Sequence, residues 1–174
     1  MILYHGTTQK RGEEILGSEI IKCKTERDFE AAGSFNGTTD GYVYLTTDLS
    51  RALYYGNAKT IGNDYDRLVY IFKIDIPEEL LMADLDELFV VTRKEYPFDT
   101  SAVESIKICQ CVRVPQDISI KNSKYTIMPS TKNSCYPEEI YKLRQQLFDL
   151  NQVKNRDNIK ECQIIDSLLE WKSI

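Results

Sequence analysis

One histidine, His5, is all that the 174 residues contain. That scarcity excludes a histidine-rich metal centre and a two-histidine acid–base pair. Basic residues never gather into a run, and Lys121-Asn122-Ser123-Lys124 is the nearest approach to one. With a net charge of −5 and a pI of about 5.0, stable nucleic-acid binding is disfavoured. No C-x-x-C pair exists among Cys23, Cys109, Cys111, Cys135 and Cys162. Cys109-Gln110-Cys111 reads as strand, where the pleat turns the two thiols to opposite faces and spoils a shared metal site. No apolar run reaches membrane-spanning length, and no leader precedes the first apolar stretch. Free thiols fit a reducing compartment, so a cytoplasmic protein without a membrane contact is expected. Repeats and low-complexity segments are also lacking.

What is present is an ordinary globular mix, 42% hydrophobic and 28% charged, enough for one compact domain. Eleven tyrosines and six phenylalanines make it aromatic-rich, which suits both a core and a site that stacks a flat ligand. Met1-Ile2-Leu3-Tyr4 predicts a short buried strand that delivers His5 to its end. Residues 9–17 predict a short helix stopped by Gly17, and 20–23 a brief extended piece. Residues 24–41 are polar and glycine-dotted, a long loop of the kind that often carries function. Tyr42 to Thr46 predicts a strand, followed by a helix capped at Thr47 or Asp48 and ended at Gly56-Asn57. Asn63 to Asp66 reads as a turn. Residues 67–76 form the strongest strand, stopped by Pro77, with a helical turn over 78–81.

The acidic stretch 84–89 is expected to lie exposed on one side, and 92–102 to form a second polar loop. Val103 to Ile108 alternates, predicting a strand with Glu104 at its start, continued by Cys109 to Val114 and a further short strand at 118–120. From Pro137 onward two apolar stripes recur at helical spacing, Ile140-Leu143-Leu147-Leu150 and Ile159-Cys162-Ile165-Leu168-Leu169. A helical hairpin over 137–173 follows. It serves either as extra core or as a surface for a protein partner. The domain organisation expected is therefore 1–130, with a helical appendage over 131–174.

Three pieces then align. Tyr4-His5-Gly6-Thr7 ends the first strand, Gly41-Tyr42-Val43-Tyr44-Leu45-Thr46 leads into a helix carrying Tyr54-Tyr55, and Glu104 follows an aromatic loop. This order resembles the His-Tyr-Glu branch of the ADP-ribosyltransferase superfamily, which includes poly(ADP-ribose) polymerases and diphtheria-type toxins. The resemblance covers residues 1–120. It implies an α+β fold of split antiparallel sheets with flanking helices, and a mono-ADP-ribosyltransferase that uses NAD and no metal. By the same resemblance His5 bonds the adenosine ribose, Gly6 the nicotinamide carboxamide, and Tyr44 flanks the nicotinamide. Thr7 and Thr46 would complete the cofactor-binding set. Tyr54 or Tyr55 stacks on the other face of the ring, but not both, since neighbours on a helix point about 100° apart. Glu104 is the implied catalytic glutamate, and the loop over 92–103, with Tyr96 and Phe98, faces the acceptor.

The chemistry suits that set. Nicotinamide departs readily and leaves a cationic ribose, which one carboxylate can stabilise while it holds or deprotonates a hydroxyl. Ala102, two residues before Glu104, departs from the pattern of arginine-modifying members and disfavours arginine as acceptor. Two alternatives stay open. One is an inactive module that binds NAD, ADP-ribose or a protein. The other is an effector that hydrolyses NAD.

Overall fold

The computed structural model describes residues 1–24, 38–60, 67–152 and 159–174. Most of the predicted loop 24–41 and the predicted turn 63–66 lie outside these residues. The architecture of the described residues is α+β, with antiparallel pairing throughout their strands and six α-helices among them. The strands are β1 (Ile2–Thr8), β2 (Ile20–Ile21), β3 (Val43–Thr46), β4 (Leu68–Asp75), β5 (Met82–Ala83), β6 (Cys111–Val114), β7 (Ile118–Ser119), β8 (Lys124–Pro129) and β9 (Lys172–Ser173). A seven-stranded sheet runs β5-β6-β3-β1-β4-β8-β9, and β2 pairs with β7 in a small second sheet. The helices are α1 (Gln9–Ser18), α2 (Leu49–Thr60), α3 (Leu85–Thr92), α4 (Ala102–Cys109), α5 (Glu138–Gln152) and α6 (Ile159–Leu168).

Strand β1 explains how the sheet divides space. Successive residues alternate faces. Leu3 is fully buried on one face beside Phe72, Ile74, Leu45 and Val112. Tyr4 joins the other face, against Leu49, Leu53, Val69 and Ile71. Helix α2 lies directly on that second face, at two glycines. A Cβ at Gly6 would sit 1.8 Å from the Ala52 carbonyl oxygen, and one at Gly56 would sit 2.9 Å from the Thr7 nitrogen. Helix α2 therefore runs on to Thr60 instead of stopping at Gly56-Asn57. Gly56 is a point of close packing, not a helix end. Similarly α1 passes Gly17, and Glu19 at φ 56° takes the left-handed position after Ser18.

The largest correction concerns residues 102–109, which form helix α4 instead of a strand. Ser101 and Glu104 stand three apart, the spacing of a capping box, and the Ser101 hydroxyl accepts the Glu104 N–H at 3.1 Å. That start signal outweighs the alternation. Gln110 at φ 59° then ends the helix and turns the chain into β6. The same turn brings Cys109 and Cys111 into one small core with Ala83 and Leu88, so the two cysteines are not splayed across a pleat. Acidic residues 84–89 also differ from expectation. They open helix α3, and Asp84 is buried. Strand β8, which pairs with β4 from Leu68↔Pro129 to Lys73↔Lys124, has no counterpart in the sequence reading.

Helices α5 and α6 pack on α2. Leu147, Cys162, Ile165 and Leu169 share one core with Leu49, Leu53 and Met128. Beyond α6 the chain returns to the main sheet, where β9 pairs with β8. Arg144 is buried and donates to the Ser130 carbonyl at 2.7 Å.

Candidate functional site

The motif residues gather around the junction of β1 and β3. The two strands share one register pair, Tyr4↔Thr46, while β1 pairs with β4 from Ile2↔Asp75 to Thr8↔Val69. Past Thr46 the ladder to β3 ceases and a side chain takes over. His5 Nδ1 donates to the Tyr44 carbonyl at 3.0 Å. The carbonyl can only accept, so the neutral ring carries its proton on Nδ1. Burial, with Lys59 nearby, pushes the imidazole down to about 4. This is a histidine that remains neutral and ties two strands together.

The pleat separates the motif residues. His5 stands opposite Phe72 and Thr7 opposite Tyr70, both on the face of the Leu3 core. Gly6 lies on the opposite face with Tyr4 and Thr46, and Tyr44 shares it, two residues from Thr46. Tyr55 reaches this second face from α2. Gly6, Tyr44 and Thr46 therefore share one face, the side chains of His5 and Thr7 lie on the other, and Tyr44 and Tyr55 are linked through α3. Thr46 is buried, with its hydroxyl donating to the Gln110 carbonyl at 2.8 Å and accepting the Asp48 N–H at 3.0 Å.

Helix α3 supplies what the sequence reading missed. The Tyr44 hydroxyl donates to Asp86 Oδ2 at 2.5 Å, and the Tyr55 hydroxyl donates to Glu87. Asp86 also accepts the Thr39 N–H at 2.7 Å and the Thr39 hydroxyl at 2.8 Å. Arg113, directly across from Tyr44 in the register, lies 3.9 Å from Asp86 and 4.1 Å over the Tyr42 ring. Arg51 pairs with Glu87 and lies 3.7 Å from the Cys111 sulfur. The Nε atoms of Arg51 and Arg113 are buried without a hydrogen-bond partner.

The electrostatics follow from burial. Burial, reinforced by Asp86, pushes the Tyr44 phenol well above its ordinary range; burial, Cys111 and Glu87 do the same at Tyr55. Burial opposes ionisation of Asp86, but bonds from Thr39 and Tyr44, together with Arg113, hold its carboxyl below the ordinary value. Asp84, at the N-cap of α3, is pushed up to about 7 by burial and by the charges of Glu87 and Asp86. The face therefore carries an ionised carboxylate at neutral pH beside two neutral phenols.

The remaining candidates lie elsewhere. Tyr54 is 46% exposed and edge-on to Tyr55 at 5.5 Å, so Tyr55 is the helix tyrosine that faces α3. Glu104 sits exposed in the first turn of α4. Tyr96 packs on the Cys109–Cys111 core, and Phe98 is 72% exposed. A separate pocket, between Tyr4, Asp48, Gln110 and Cys162, opens beside α6. Among the described residues no group of three or more His, Cys, Asp or Glu side chains is arranged to hold a metal ion. No helix of the described residues is long and apolar enough to cross a membrane.

No known protein family matches the chain, and neither does any curated protein sequence. Among solved structures a chain named EcPltA is similar at 14% identity, covering 73% of this chain and 75% of its own, with a TM-score of 0.43.

Proposed function

We propose that the chain is a mono-ADP-ribosyltransferase that cleaves NAD between nicotinamide and ribose and passes ADP-ribose to an acceptor other than arginine. The observation that supports it is the pair of tyrosines bonded to neighbouring acids of α3: Tyr44 to Asp86, whose carboxyl is held below its ordinary value, and Tyr55 to Glu87, with Gly6 on the same face of β1 as Tyr44 lies on β3. In this reading the rings of Tyr44 and Tyr55 flank the nicotinamide. The main chain at Gly6, next to the point where the β1–β3 ladder stops, meets the carboxamide. Asp86 is the carboxylate that stabilises the cationic ribose as nicotinamide leaves. His5 and Thr7 support the site from behind, and the 92–103 segment with Tyr96 and Phe98 meets the acceptor.

The test is nicotinamide release from NAD by wild type, Asp86→Asn and Glu104→Gln, with and without cell lysate as acceptor source. Loss in Asp86→Asn alone is the expected result. Loss in Glu104→Gln alone returns the catalytic role to the glutamate of α4. Release that needs no lysate marks hydrolysis instead of transfer.

A second reading is a binding module without turnover, contacting a protein partner through residues 137–174. It is favoured by the exposure of Glu104 and by Ile164 and Leu168, which stand 61% and 62% exposed on α6. NAD binding without any nicotinamide release would select it.

A further inference from the structure

Two tyrosines on different elements are bonded to adjacent residues of one short helix. Tyr44 belongs to β3 and Tyr55 to α2, while Asp86 and Glu87 are consecutive in α3. Neighbours on a helix diverge by about 100°, so a single helix can reach both partners without bending. Helix α3 is itself firmly fixed. Asp84 Oδ1 accepts the Glu87 N–H at 3.0 Å, and the Asp84 N–H donates to the Ser105 hydroxyl at 3.0 Å. Leu88 is fully buried, and Arg93 closes the C-terminal end through its N–H to the Phe89 carbonyl at 2.8 Å. Glu87 is anchored in turn by the buried Arg51 guanidinium, which stands on the same helix as Tyr55.

We infer that α3 sets the spacing between Tyr44 and Tyr55, and that Glu87, anchored by Arg51, is a positioning residue that holds the Tyr55 ring for the flat group of the ligand. This rests on the NAD-cleaving reading above and adds to it the residue that aligns the second ring. Glu87 touches the phenol hydroxyl and acts through it. A tyrosine whose hydroxyl is tethered loses less rotamer freedom when a ring stacks on it, so removing the tether weakens stacking without removing a ligand contact.

The experiment is calorimetric titration of wild type, Tyr55→Phe, Glu87→Gln, Glu87→Ala and the Tyr55→Phe/Glu87→Gln pair with nicotinamide. Each protein's melting temperature is recorded alongside. Tyr55→Phe and Glu87→Ala should each weaken nicotinamide by about three- to ten-fold, the scale of ordering one side chain. Glu87→Gln keeps an oxygen that accepts the phenol and should retain affinity to within about three-fold. The paired variant should bind like Tyr55→Phe alone, because both changes cut the same link. Melting temperatures that fall while nicotinamide affinity is unchanged would make the link purely structural and overturn the inference. Glu87→Ala strands a buried Arg51, so should it fail to fold, Tyr55→Phe, which leaves that ion pair intact, decides alone. Wild type that does not take up nicotinamide at all is a different result. It removes the NAD-cleaving reading itself, and the inference with it.

Discussion

The two faces of β1 come from one run of residues and meet different surroundings. The face of Leu3, His5 and Thr7 is mostly apolar, and His5 there bonds the neighbouring strand through the Tyr44 carbonyl. The face of Tyr4, Gly6 and, across the ladder, Tyr44 and Thr46 is divided: Tyr4 and Gly6 lie under α2 against an apolar core, and toward α3 the side chains of Arg51, Arg113, Asp86 and Glu87 surround two phenols. A motif read as consecutive letters is thus divided by the pleat between two faces. Residues that sit side by side in sequence cannot both point at the same ligand from a strand.

The sharpest way to break this comparison is Gly6→Ala. Its Cβ would overlap the Ala52 carbonyl oxygen, a backbone atom that cannot turn aside. We expect a loss of more than about 3 kcal/mol, at the upper end of overpacking costs, read as a fall in the denaturant midpoint. A variant that keeps wild-type stability would mean that α2 does not rest on Gly6.

Asp84 tests the charged face. Its native value near 7 lies above the ordinary carboxyl value of 3.8, so between those pH values the native state keeps a proton that the unfolded chain has released. Stability from this group is full below about pH 4 and declines as pH rises toward 7. Asp84→Asn, which can still cap α3, should be more stable than wild type by about 4 kcal/mol at pH 8 and nearly equal to it at pH 4. Equal stability at both pH values would deny the burial.

His5 tests the other face with the opposite sign. Its native value near 4 lies below the ordinary 6.5, so the unfolded chain binds the proton first. Wild type should lose about 1 to 2 kcal/mol relative to His5→Asn as pH falls from 6.5 to 4, a partly exposed ring giving less than the full shift. Parallel pH profiles for the two proteins would free His5 from the role of a neutral tie.

Much of this arrangement was legible in the chain. The apolar start, the strand at 68–75, a cap at Thr47 or Asp48, which falls at Asp48, and the spacing of the C-terminal helices follow from residue type and periodicity. The motif tyrosines were legible too, but their partners were not. Asp86 and Glu87 looked like solvated acids because a short acidic stretch gives no sign of the buried arginines waiting for it across the fold. Glu104 reads as a strand carboxylate because Val103, Ser105 and Ile106 mimic alternation. Ser101, three residues ahead, was the signal for a helix. Strand β8 escaped because Lys124 to Pro129 is half polar, and its partners β4 and β9 lie far away in sequence.

The most direct measurement is a crystal structure of the protein with nicotinamide bound. The account predicts the ring against Tyr44 and Tyr55, on the Gly6 side of β1 with Asp86 beside it. A nicotinamide held against His5 and Thr7 on the opposite face would contradict it.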